Sequence, residues 1–181
     1  RDELKSRGLE MCIRDRSKYD EIAIDLETKD PELKTMGSGS VTSEGHIVGI
    51  AVAVHDWSGY YPIAHEGGGN MDEKIVMDYF RTVLNLPARK IFHNAMYDVC
   101  FIRSAGLKIN GDIVDTMIAG SLVDENRFRY DLGSMGRDYL GKGKNEALLA
   151  ETANVWGIDA KSEMYKPVSY THLTLPTSQY V

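Results

Sequence analysis

An α/β domain built on a mixed sheet, with helices flanking it, is predicted by three observations. Extended runs come first, at Tyr19 to Thr28, His46 to His55 and Tyr60 to Ala64, close enough in sequence to form an antiparallel meander. An amphipathic stretch of helical period follows at Met71 to Leu84. Short strands and helices then alternate, so that the whole order reads β-β-β-α-β-α-β-α. At 181 residues, 43% of them hydrophobic, the chain is long enough for one domain with a real core.

The opening run, YDEIAIDLET, alternates strictly. Ile22, Ile24 and Leu26 fall on one face of a strand, and Ala23, Asp25 and Glu27 on the other. Two carboxylates leaving one face near a strand end are costly in a half-buried sheet unless a cation lies between them. A hard divalent ion with oxygen ligands suits them, and solvated acids closing a strand suit them as well. Lys29 to Ser43 is polar and rich in Gly and Ser, hence a loop. His46 to His55 has the continuous apolar, β-branched character of a central strand, Trp57-Ser58-Gly59 is expected to turn the chain, and Tyr60 to Ala64 makes the third strand.

His65 to Asn70, HEGGGN, lacks the spacing and the Lys-Ser/Thr of a phosphate-binding loop, so it reads as a linker whose Asn70 caps the next helix. That helix carries Ile75, Val76, Tyr79, Phe80 and Val83 on one face and acids in its first turn. Pro87 closes the segment and Arg89 to Phe92 begins a short strand, which runs into His93-Asn94 and a helix ended by Gly106. Asn94 suits a helix start. On the helix, Asp98 has apolar neighbours at Phe101 and Ile102, so it faces inward and needs a partner. Ile113 to Val123 reads as a strand entering a helix capped by Asp115 or Thr116. Asp131 to Leu140 and Asn145 to Val155 read as helices whose Leu132, Met135, Tyr139, Leu148 and Leu149, with Trp156 just beyond, belong to the core.

The charge of −6 opposes passive wrapping of a nucleic acid, yet permits an enzyme that meets phosphate through metal ions. Cys12 and Cys100, far apart and outside any CxxC, argue against a disulfide framework or zinc site. No run approaches a membrane span and no secretory signal opens the chain, so a cytoplasmic location is expected.

The two ends stand apart from this pattern. Met11 to Asp15, MCIRD, and Val168 to His172, VSYTH, can be encoded by reverse-complementary DNA, and that DNA resembles a transposase-type sequencing adapter. Residues 1–16 and 168–181 are therefore expected to be an uncertain, adapter-like N-terminal segment and an adapter-like C-terminal one, leaving a domain at 17–167.

With Asp25-Leu26-Glu27-Thr28 on a strand and His93-Asn94-Ala95-Met96-Tyr97-Asp98 on a strand-to-helix turn, the chain resembles the DEDD superfamily of 3′-5′ exonucleases, most closely the proofreading domain of family A DNA polymerases. Its D-x-E motif is matched by Asp25 and Glu27, and its N-x-x-Y-D motif by Asn94, Tyr97 and Asp98, about seventy residues on. The resemblance covers Ser17 to Pro167, with Asp115-Thr116-Met117 and Gly141 to Asn145 also similar. It implies a ribonuclease H-like fold and two Mg²⁺ or Mn²⁺ ions. Asp25 would bridge both ions, Glu27 would hold the one that activates water, and Asp98 the other. Thr28, Asn94 and Tyr97 would meet the terminal nucleotide. The implied partners are a single-stranded DNA 3′ end and a polymerase domain beyond the chain. A ribonuclease D-type RNA exonuclease shares these motifs, and a non-catalytic module holding a DNA end remains a third reading. The family's third motif, Y-x-x-x-D or H-x-x-x-D, occurs nowhere here, and nothing after Glu163 is acidic. The resemblance therefore implies truncation before that motif and weak or no activity.

Overall fold

The computed structural model describes residues 19–142, 146–159, 163, 165 and 166. The adapter-like segments at 1–16 and 168–181 lie outside the described residues, as do Lys144 and Asn145. Among these residues five strands form one sheet: β1 (Glu21–Lys29), β2 (His46–Val54), β3 (Trp57–Pro62), β4 (Arg89–Phe92) and β5 (Ile113–Asp115), in the spatial order β3-β2-β1-β4-β5. The meander pairs are antiparallel, whereas β1–β4 and β4–β5 are parallel, giving the mixed sheet. β1 is central, with its apolar face of Ile22, Ile24 and Leu26 buried and Asp25 and Glu27 half-buried.

Among the described residues six helices accompany the sheet: α1 (Gly39–Thr42), α2 (Glu73–Asn85), α3 (Ala95–Ser104), α4 (Thr116–Val123), α5 (Leu132–Leu140) and α6 (Glu146–Trp156). In α2 the buried residues Val76, Tyr79, Phe80, Val83 and Leu84 recur every three or four positions, which is why this segment forms a helix against the sheet. Asp72 caps it by accepting from the Ile75 N–H at 3.0 Å. Asn70, expected in that role, instead exchanges two 2.8 Å hydrogen bonds with the backbone of His65 and closes its own loop. Within that loop His65 is buried, with Nε2 2.5 Å from the Tyr60 hydroxyl and Nδ1 3.0 Å from the Tyr165 carbonyl.

Other expectations are corrected. Trp57-Ser58-Gly59 is not a turn. The register pairs Val54 with Trp57, so His55-Asp56 turns the chain and β3 begins at once. Gly59 sits inside the strand because the Trp57 indole lies over it, where a Cβ would come within 2.3 Å of the ring. The polar loop after β1 contains the short α1, capped by Ser38. Tyr139 and Trp156 are 47% and 45% exposed, not core. Tyr139 carries Arg127 over its ring at 4.9 Å, which rewards a partly solvated face. Leu148 and Leu149 have side chains outside the described residues.

Lys90 is fully buried on β4 and donates to three backbone carbonyls, those of Leu86, Ala88 and Asn110, at 2.5, 2.8 and 2.7 Å. Burial pushes its pKa down, but the three carbonyls hold the ammonium where the α2–β4 connection meets the approach to β5. Lys90→Met should cost about 3 kcal/mol in urea unfolding, because three acceptors lose their donor. An unchanged midpoint would show that water replaces the ammonium. Among the described residues, no helix is long and apolar enough to cross a membrane.

Candidate active site

The site begins where β1 loses regular pairing. Glu27 pairs with Gly49 but Thr28 pairs with Ile47, so β2 carries one extra residue, Val48. Bulges of this kind re-aim side chains at a strand end. The Val48 carbonyl accepts from Ile63 and Ala64, and Gly49 leaves room for the Tyr60 hydroxyl, which a Cβ would meet at 1.8 Å.

The second half comes from α3. Asn94 occupies its N-cap with left-handed backbone, φ 66°, and its side chain makes no capping hydrogen bond. Asp115, at the end of β5, does that work: its two oxygens accept from the N–H groups of Asn94 and Ala95 at 3.0 and 2.8 Å, while Oδ1 also takes the Met117 N–H at 2.8 Å. One carboxylate thus satisfies the first turns of α3 and α4 together. The structural role expected of Asp115 is larger than capping its own helix.

That clamp fixes the turn of α3 carrying Tyr97 and Asp98. Asp98 is 4% exposed and accepts from the backbone N–H of Leu26 at 2.9 Å, tying α3 to the middle of β1. Burial, and next the charge of Asp25, push its carboxyl up to about 7. Asp98 is thus held against β1 beside Leu26, where the charge of Asp25 acts on it. Tyr97 is half-buried and its hydroxyl is 2.7 Å from Thr28 Oγ1, so these two also meet. Burial raises the Tyr97 pKa above its ordinary value, with Thr28 opposing and Asp30 adding to the shift. Glu27 is half-buried on the same strand face as Asp25, and Asn94 is exposed at the head of α3. A residue that the motifs did not single out, Asp30, accepts from the Tyr97 hydroxyl at 3.0 Å. Its only sequence signal is its position directly after β1.

The donor chemistry fits a hard cation. Two carboxylates that raise one another's cost of ionisation suit an ion such as Mg²⁺, which is commonly held by one or two protein carboxylates together with substrate phosphate. Among the described residues, no group of three His, Cys, Asp or Glu side chains is arranged to hold a metal.

Comparison with known proteins places this arrangement in context. The model of a 3′-5′ exonuclease family of the DNA polymerase A type matches residues 4–170. A DNA-directed DNA polymerase of Pseudomonas phage M6 is 34% identical over 149 residues, covering 80% of this chain and 22% of that protein. The chain spans less than a quarter of the length of the curated relatives it matches. Among solved structures, Trypanosoma brucei RNase D superposes with a TM-score of 0.68 at 13% identity, over 96% of this chain and 59% of that one. Brucella melitensis NrnC with bound Mg²⁺ gives a TM-score of 0.55 at 15% identity, over 91% and 86%. At such identities the two structures speak to fold alone, and that fold is the ribonuclease H-like one.

Proposed function

The chain belongs to the 3′-5′ exonuclease family, and from that premise we propose that its site removes nucleotides from the 3′ end of single-stranded DNA, as the proofreading part of a larger polymerase working in the cytoplasm. The observation that carries this reading is the buried Asp98 of α3 bonded to the Leu26 N–H of β1, next in sequence to Asp25, whose charge acts on it. A fold does not keep two acids in such a place for stability, since each ionises at the other's expense.

Each residue then has a task. Asp25 and Asp98 would supply hard oxygens from two separate elements, and Glu27, at the next position on the Asp25 face of the strand, would join them only once ions and substrate draw it in. A pair of bound Mg²⁺ or Mn²⁺ ions would supply Lewis acidity toward the scissile phosphate. Asn94, at the exposed head of α3, Tyr97, on that helix, and Thr28, at the end of β1, receive the terminal nucleotide. The preference for DNA over RNA rests on the phage DNA polymerase relative. Since the chain has no Y-x-x-x-D or H-x-x-x-D run, hydrolysis by the 181 residues alone is expected to be slow or undetectable.

The test is release of 3′-terminal nucleotides from matched single-stranded DNA and RNA in Mg²⁺, using the chain alone and the chain extended by a Y-x-x-x-D segment. The reading expects DNA to be the preferred substrate and the extension to raise the rate. Faster digestion of RNA would transfer the function to the ribonuclease D type, and full activity of the unextended chain would refute the need for a further acid.

A further inference from the structure

The Tyr97 hydroxyl stands between two side chains of the segment that leaves β1. It lies 2.7 Å from Thr28 Oγ1 and donates to Asp30 Oδ2 at 3.0 Å. A carboxylate can only accept, and a phenol has one proton. With that proton committed to Asp30, the contact to Thr28 is a hydrogen bond only if Thr28 donates to the Tyr97 oxygen. Thr28 also has a single proton, so to any further group that reaches it, Oγ1 offers lone pairs alone. The chain therefore runs one way, from Thr28 to Tyr97 to Asp30.

Asp30 is well placed to hold that direction. Its other oxygen accepts from the N–H of Gly39, the first residue of α1, at 3.0 Å. Turning away from Tyr97 would put this second bond at risk. Thr28 directly follows Glu27 and Tyr97 directly precedes Asp98, so the chain runs beside the contact that holds Asp98 against β1. Thr28 and Tyr97 are both only half-buried, which leaves Thr28 within reach of a ligand.

We propose that Asp30 is a positioning residue that fixes the direction of this hydrogen-bond chain, so that Thr28 acts as an acceptor and the site selects a nucleic-acid end bearing a donor, a free 3′-hydroxyl. The inference rests on the reading of the site as one that receives a 3′ end. Asp30 need not touch the substrate. It acts by denying Tyr97 the option of donating to Thr28, and thereby denies Thr28 the option of donating outward.

The test compares binding of a short single-stranded DNA ending in a 3′-hydroxyl with one ending in 3′-fluoro, which is similar in size but cannot donate. Affinities are read by fluorescence anisotropy with Ca²⁺ as the divalent ion. The unaltered chain should bind the hydroxyl end about tenfold more tightly, the worth of roughly one hydrogen bond. In Asp30→Asn, whose amide can donate to Tyr97 and reverse the chain, the two affinities should approach parity. Tyr97→Phe, which keeps the ring packing and frees the Thr28 hydroxyl to rotate, should do the same. The ratio of the two affinities is the diagnostic, because a general loss of structure would weaken both ends alike. An undiminished ratio in both variants, or parity in the unaltered chain, would overturn the inference while leaving 3′-end binding intact. Failure of the unaltered chain to bind either oligonucleotide would overturn the 3′-end reading and this inference with it.

Discussion

Asp98→Asn should stabilise the metal-free protein at pH 8 by about 2–4 kcal/mol in urea unfolding. The argument runs through protons. In the folded chain the Asp98 carboxyl titrates near 7, whereas its ordinary value is 3.8. A group whose pKa is raised by folding contributes most when it is protonated in both states, below about pH 4. As pH rises from there the unfolded chain releases its proton while the folded chain keeps it, and the contribution is lost progressively until about pH 7. Above that point the folded state carries the whole cost of an ionised Asp98, about 4 kcal/mol for the full displacement. Asparagine removes the charge but keeps an oxygen that can accept from the Leu26 N–H, now made at 2.9 Å. The gain should therefore vanish toward pH 4, and the variant should lose the decline in stability between pH 4 and 7. A destabilised variant at pH 8 would mean that Asp98 is held as an ion by groups other than those that push it up.

The second large effect is on catalysis. In a chain extended by a Y-x-x-x-D segment, Asp25→Ala should reduce Mg²⁺-dependent release of 3′ nucleotides by about 10³-fold or more, the equivalent of roughly 4 kcal/mol of transition-state stabilisation. Asp25 is singled out because it is the acid that Asp98 senses across the β1–α3 contact. Its removal takes away one of the two oxygen donors proposed for the cation. The same change should lower the Asp98 pKa by deleting a like charge, so the loss of activity should come without loss of stability. Unchanged rates would remove Asp25 from the site, and a parallel collapse of folding would reduce it to a structural residue.

Much of this architecture was legible in the residues, for reasons that can be named. β1 could be read because it buries one face fully while Asp25 and Glu27 stay half-buried on the other, which leaves a two-residue alternation, and α2 because a helix covering a sheet needs a continuous apolar face. The inward face of Asp98 could be read from Phe101 and Ile102 beside it, both buried. What escaped depends on side-chain contacts that hydrophobic period does not record, several of them between distant segments. Gly59 looks like a turn residue, but its role is to lie under the ring of Trp57, two residues earlier on the same strand. Asn70 and Asp72 are both good caps, and which one acts was decided by the His65 backbone that Asn70 grips. The clamp of Asp115 on α3 joins residues some twenty positions apart, and the bond from Tyr97 to Asp30 spans a far longer interval. Tyr139 and Trp156 sit at helical apolar positions, but helical period shows which face is apolar and not how completely another element covers it.

The central claim is that Asp25 and Asp98 form one cation-binding pair. Calorimetric titration of the 181-residue chain with Mn²⁺ at pH 8 tests it most directly, with Asp25→Ala and Asp98→Asn run alongside and folding of each verified by far-ultraviolet circular dichroism. The account predicts saturable binding to the unaltered chain that is abolished or greatly weakened in both variants. Absence of saturable binding to the unaltered chain, or binding of equal strength in both variants, would contradict it and favour a module that holds a DNA end without catalysing its hydrolysis.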